Sequence, residues 1–73
     1  MFKKVAAILA DIIGCDDNDV FMETKFTAEN GVNPIDIAKL VIECEREFNI
    51  EIFDEDVHKF KEVGDVVRYI KEA

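Results

Sequence analysis

Apolar residues recur every three or four positions through three separate stretches of this chain, and that spacing commits most of it to amphipathic helices. In the first stretch Phe2, Val5, Ile8, Leu9, Ile12 and Ile13 keep the spacing, and Gly14 supplies a left-handed stop. From Pro34 to Phe48 an apolar side of Ile37, Ala38, Leu40, Val41, Cys44 and Phe48 opposes a polar side of Asp36, Lys39, Glu43, Arg46 and Glu47. Val63, Val66, Val67 and Ile70 line one face of the last stretch. Between these, Ile50-Glu51-Ile52 and Phe53 lead into a short acidic helix around Asp54 to Lys59, whose first-turn carboxylates suit the positive end of the helix dipole. The prediction is an all-α four-helix bundle with a long first loop and a short third helix.

The start of the second long helix is well specified. Asn33 can accept bonds from the first free N–H groups, and Pro34 at the first helical position loses no hydrogen bond while fixing φ suitably. The connection from Cys15 to Asn33 is longer than most, which predicts a loop that packs on its own account or carries function. Val20 and Phe26 are its expected anchors into the core.

Size and charge narrow the function classes. With 73 residues the chain reads as one domain, 1–73, near the size at which one core supplies only about 3–5 kcal/mol. A net charge of -8 disfavours nucleic acid and anionic membrane and favours basic protein surfaces, and self-repulsion favours a monomer. No apolar run approaches the roughly 20 residues of a membrane span, and no signal-peptide pattern opens the chain, so a cytoplasmic location is expected. Cys44, at helical spacing among apolar residues, reads as a small core residue, and Cys15 as a partly exposed thiol. The two cysteines and lone His58 do not make a metal site. The cluster Asp16-Asp17-Asn18-Asp19 lacks the loop of a dedicated calcium site. No paired base and nucleophile and no phosphate-binding glycine loop point to an enzyme, since Gly14, Gly31 and Gly64 are scattered.

Leu40-Val41-Ile42, Cys44-Glu45-Arg46-Glu47-Phe48, Ile50-Glu51-Ile52, Asp54-Glu55-Asp56, Val63-Gly64-Asp65 and Tyr69-Ile70 together resemble the acyl carrier protein family. The resemblance runs over nearly the whole chain, from Phe2 to Ile70, and implies the same bundle. In that family the second helix begins Asp-Ser-Leu-Asp, and its serine carries the 4'-phosphopantetheine arm. An ungapped alignment sets Asn33 on the first aspartate, Pro34 on the serine, Ile35 on the leucine and Asp36 on the second aspartate. This chain has no serine anywhere. Shifting the register by one residue brings in Asn33 or Ile35, and the remaining hydroxyls, Thr24, Thr27 and Tyr69, fall elsewhere. The resemblance therefore implies a carrier fold with a degenerate attachment site at Pro34, flanked by Asn33, Ile35 and Asp36, and no bound cofactor is expected.

Family members dock on basic patches of biosynthetic enzymes through the second helix. Carried onto this chain, the contact residues are Ile35, Lys39, Ile42, Glu45, Arg46 and Glu55, with ordinary helix packing as the alternative for the two isoleucines. Lys39 and Arg46 stand where the family usually has glutamate, a sign change that costs several tenths to about 1 kcal/mol each against an unchanged basic partner. A changed partner set follows. Asn30 falls where the family has leucine, and Phe53 where it has proline; Phe53 is expected in the core or filling space near the acyl pocket. The expected function is a non-acylated interaction or regulatory paralogue in fatty-acid-like or polyketide-like biosynthesis. The alternative is a working carrier whose cargo sits on another residue, such as Cys15, or is held without a covalent bond.

Overall fold

A computed structural model describes all 73 residues and contains four α-helices: α1 (Phe2–Ile13), α2 (Pro34–Phe48), α3 (Asp54–Val57) and α4 (Val63–Glu72). Both long helices have the bounds that periodicity predicts. Gly14 ends α1 at φ 78°, and its N–H donates to the Ala10 carbonyl at 2.8 Å. Asn49 ends α2 in the same left-handed region at φ 53°, a conformation asparagine tolerates better than most side chains.

Side chains from three helices and from the α2–α3 connection meet in one core. Val5 and Leu9 from α1, Leu40 and Cys44 from α2, and Val63 and Val66 from α4 are almost wholly enclosed. Each buried aliphatic side chain of this size contributes about 1.5–3 kcal/mol over an exposed one. Lys4 of α1 and Glu47 of α2 lie 3.6 Å apart, so the N-terminal end of α1 runs beside the C-terminal end of α2 and the two helices are antiparallel. Tyr69 of α4 holds α3 from the other side: its O–H donates to Asp56 at 2.9 Å, and its ring meets Phe60 edge-on at 5.5 Å.

The Cys15–Asn33 connection is a strap. Two 3-10 turns, Asp17–Asp19 and Ala28–Asn30, shorten it. Its middle pairs with the segment that opens α4: the Phe26 N–H donates to the Lys61 carbonyl, the Val63 N–H to the Thr24 carbonyl and the Gly64 N–H to the Met22 carbonyl at 2.8 Å. Val20 is buried and Phe26 is half-buried against the core, as expected. Val32 is also buried, an anchor that no periodicity marks because its neighbours Gly31 and Asn33 are both exposed.

Three expectations need correction. The third helix ends at Val57, and His58 and Lys59 form a turn, with the Lys59 N–H donating to the Asp56 carbonyl. Ala38 is exposed, because the buried line of α2 runs through Leu40 and Cys44, with Ile37, Val41 and Phe48 at its edges. Phe53 is not a core residue: it precedes α3 in extended backbone and leaves 53% of its surface to solvent.

Candidate functional site

The first turn of α2 is held by a reciprocal pair of hydrogen bonds. The Asp36 N–H donates to Asn33 Oδ1 at 2.9 Å, and the Asn33 N–H donates to Asp36 Oδ2 at 3.1 Å. Pro34 occupies the first helical turn between them and takes no part in either bond. Asn33, Pro34 and Ile35 are exposed, Ile35 by 67%. None of the four residues from Asn33 to Asp36 bears a hydroxyl or a thiol.

Farther along α2, Ile42 is 53% exposed, and Lys39 and Arg46 are exposed with it. Steps of four, three and four residues set Ile35, Lys39, Ile42 and Arg46 along one stripe of the helix. Arg46 pairs with Glu43 at 3.3 Å, a solvated contact of the kind worth a few tenths of a kcal/mol. Lys39 pairs with no carboxylate. Glu45 faces a different way: it is half-buried, and its carboxylate accepts the Ile52 N–H at 2.9 Å, binding α2 to the segment before α3. Glu55 is exposed on α3, a separate element.

Sequence reasoning missed the contribution of α1 to this face. Ile8 and Ile12 are only partly buried, and with Asp11 they form the second wall of a groove of about 420 Å³ whose first wall is Lys39, Ile42 and Glu43. The signal was present in the first helix, whose apolar arc from Phe2 to Ile13 is wider than a single buried stripe needs.

None of the other nucleophile-bearing side chains lies in the first turn of α2, although the Thr27 carbonyl accepts the Val32 N–H at 3.0 Å, just before α2. Thr24 Oγ1 accepts the Phe21 N–H at 2.8 Å, and Thr27 is exposed just before a 3-10 turn. The Tyr69 O–H is engaged with Asp56, a hydrogen bond that raises its pKa above the ordinary phenol value. Cys44 is fully buried, and burial, reinforced by Glu43 and Glu47, pushes its thiol up to about 12. Cys15 is free and exposed beyond the end of α1. No group of His, Cys, Asp or Glu is arranged to hold a metal ion, and no helix is long and apolar enough to cross a membrane.

A small helical bundle that exposes the capped start of its second helix has the build of a carrier domain. Residues 3–70 match the family described as "Phosphopantetheine attachment site", and the chain belongs to that family. It is 44% identical over 71 residues to the acyl carrier protein of Clostridium acetobutylicum, covering 97% of this chain and 92% of the relative. It is 42% identical over 72 residues to the acyl carrier protein of Clostridium perfringens strain 13, covering 99% and 95%. These relatives are named as carriers, not as catalysts. Family members carry a 4'-phosphopantetheine group; the side chains at the start of α2 here are an amide, a pyrrolidine ring, an alkyl chain and a hydrogen-bonded carboxylate.

Proposed function

We propose that this protein is an acyl-carrier relative in fatty-acid-type or polyketide-type biosynthesis that no longer accepts the phosphopantetheine arm and acts by binding partner proteins. The observation that carries this is a chain without serine whose second helix starts at Pro34 inside an intact capping box; the ungapped alignment puts Pro34 at the serine's position. Arm transfer needs an oxygen nucleophile to attack the pyrophosphate of coenzyme A inside a transferase, and a pyrrolidine ring offers none. The fold around it is undisturbed, which supports retention of the binding role after loss of the chemistry. The stripe of Ile35, Lys39, Ile42 and Arg46 is the proposed partner surface, with Glu55 as an outlying contact. Glu45 stays in that set through its second carboxylate oxygen, the first accepting the Ile52 N–H. The unit is read as a single domain, monomeric and cytoplasmic.

Intact mass after incubation with coenzyme A and a promiscuous phosphopantetheinyl transferase tests the reading on wild type and Pro34→Ser in parallel. The expected result is a mass gain by the variant alone, with helical content unchanged and stability within about 1 kcal/mol of wild type. A gain by wild type overturns the reading and assigns the attachment to another residue, with exposed Cys15 the first to map. A gain by neither protein rejects the proposed register at Pro34.

A further inference from the structure

The groove between α1 and α2 has features that the exposed stripe of α2 does not explain. Its floor is aliphatic, from Ile8 and Ile12 on one wall and Ile42 on the other. Its edges carry two exposed charges of opposite sign that meet no partner: Asp11 on α1 and Lys39 on α2 are both absent from every ion pair and side-chain hydrogen bond of the molecule. Glu43, the third charge on the edge, is already paired with Arg46. The ion pair of Lys4 with Glu47 lies one helical turn beyond Ile8 and Glu43, on the same pair of helices.

We propose that this groove seats an amphipathic helix of a partner protein, with aliphatic side chains on Ile8, Ile12 and Ile42, a carboxylate on Lys39 and a lysine or arginine on Asp11. The proposal rests on the reading of α2 as a docking surface and adds α1 to it. Charge selects the occupant. A net charge of -8 repels a second copy of this chain and an anionic membrane alike. A helix that carries both signs, one on each flank of an aliphatic stripe, satisfies Asp11 and Lys39 together. Because the two free charges sit on opposite walls, they also fix which way round the helix lies, since turning it over sets like charges against each other on both sides.

The probe is a synthetic helical peptide with a leucine stripe, glutamate on the flank that meets α2 and lysine on the flank that meets α1. Its counterpart has the two flanks exchanged. Each is titrated into the full-length protein labelled with nitrogen-15, and amide shifts are followed. The expected result is saturable shifts centred on Ile8, Asp11, Ile12, Lys39, Ile42 and Glu43, with the exchanged peptide about tenfold weaker. The double variant Asp11→Lys with Lys39→Glu, both at exposed positions, should reverse that preference while keeping the wild-type circular dichroism. Three results overturn the proposal: no saturable shift, equal affinity for the two peptides, or shifts on Ile35 and Arg46 that leave Ile8 and Ile12 unmoved. The last would retain the α2 surface without its groove. Loss of the arm is read by mass alone and stands or falls separately.

Discussion

Glu45→Ala should destabilise the protein by about 2 kcal/mol, although Glu45 lies on a solvent-facing helix and its truncation removes little apolar contact. The reason is its carboxylate, which accepts the Ile52 N–H at 2.9 Å; no other bond in the molecule uses that N–H. Ile52 is only 6% exposed and belongs to the core, so water has poor access to the orphaned donor. A hydrogen bond to a charged acceptor contributes about 1.5–3 kcal/mol, and leaving its buried partner unsatisfied costs about 1–3 kcal/mol; these are two views of one loss and do not add. For a domain of this size each kcal/mol moves the melting temperature by about 4–8 °C, so a fall of about 8–16 °C is expected. Glu45→Gln keeps an amide oxygen in place and should lose less than half as much. Urea unfolding followed by circular dichroism, with all three proteins at neutral pH, gives both numbers. Equal loss in the two variants would show that charge, not acceptance of the Ile52 N–H, matters. No loss in either would refute the buried-donor reasoning altogether.

Gly64→Ala should cost about 1 kcal/mol despite the better helix propensity of alanine, because a Cβ there would lie 3.1 Å from the Met22 carbonyl oxygen, which the Gly64 N–H itself holds at 2.8 Å; an unchanged or raised urea midpoint would show that the strap yields freely. In native protein an aromatic disulfide reagent should titrate Cys15 promptly and Cys44 only at the rate of unfolding, given its burial and a thiol pKa pushed up to about 12; two equally fast thiols would contradict the packing. The N–H of Lys61 chiefly, with Arg68 and the N–H of Glu62, holds the Asp65 carboxyl below its ordinary pKa. The stability this confers is present above the unfolded value of about 3.9 and is lost as pH falls through the lower folded value, so urea midpoints of wild type should drop more steeply than those of Asp65→Asn below about pH 4. Parallel acid limbs would remove Asp65 from the acid response.

Helix periodicity located α1 and α2 to the residue with the help of one strong signal in each: Gly14 stops α1, and Asn33 with Pro34 starts α2. The strap was legible only as a length. Its backbone bonds to Lys61, Val63 and Gly64 join segments far apart in sequence, and neither partner carries a pattern that names the other. Phe53 misled because an aromatic residue beside Ile52 invites burial, whereas the turn into α3 points it to solvent. The acceptor role of Glu45 was not legible, because it depends on where the α2–α3 connection returns. At the candidate site, spacing put Ile35 and Ile42 on one side of α2, and the family resemblance proposed them, with Lys39 and Arg46, as a contact stripe. The α1 wall was not legible, since a helix facing both a core and a groove shows one broad apolar arc and no boundary between the two uses.

The hydrogen bonds that start α2 pass through Asn33 and Asp36 and bypass Pro34 and Ile35 between them. Position 34 is therefore a place where the genetic code can rewrite chemistry without consulting the fold. A single base separates every proline codon from a serine codon, so a lineage carrying this cap stands one mutation from the hydroxyl, at an expected stability change of no more than about 1 kcal/mol. Selection on the reaction and selection on the bundle act on different residues, and either can change while the other is held still.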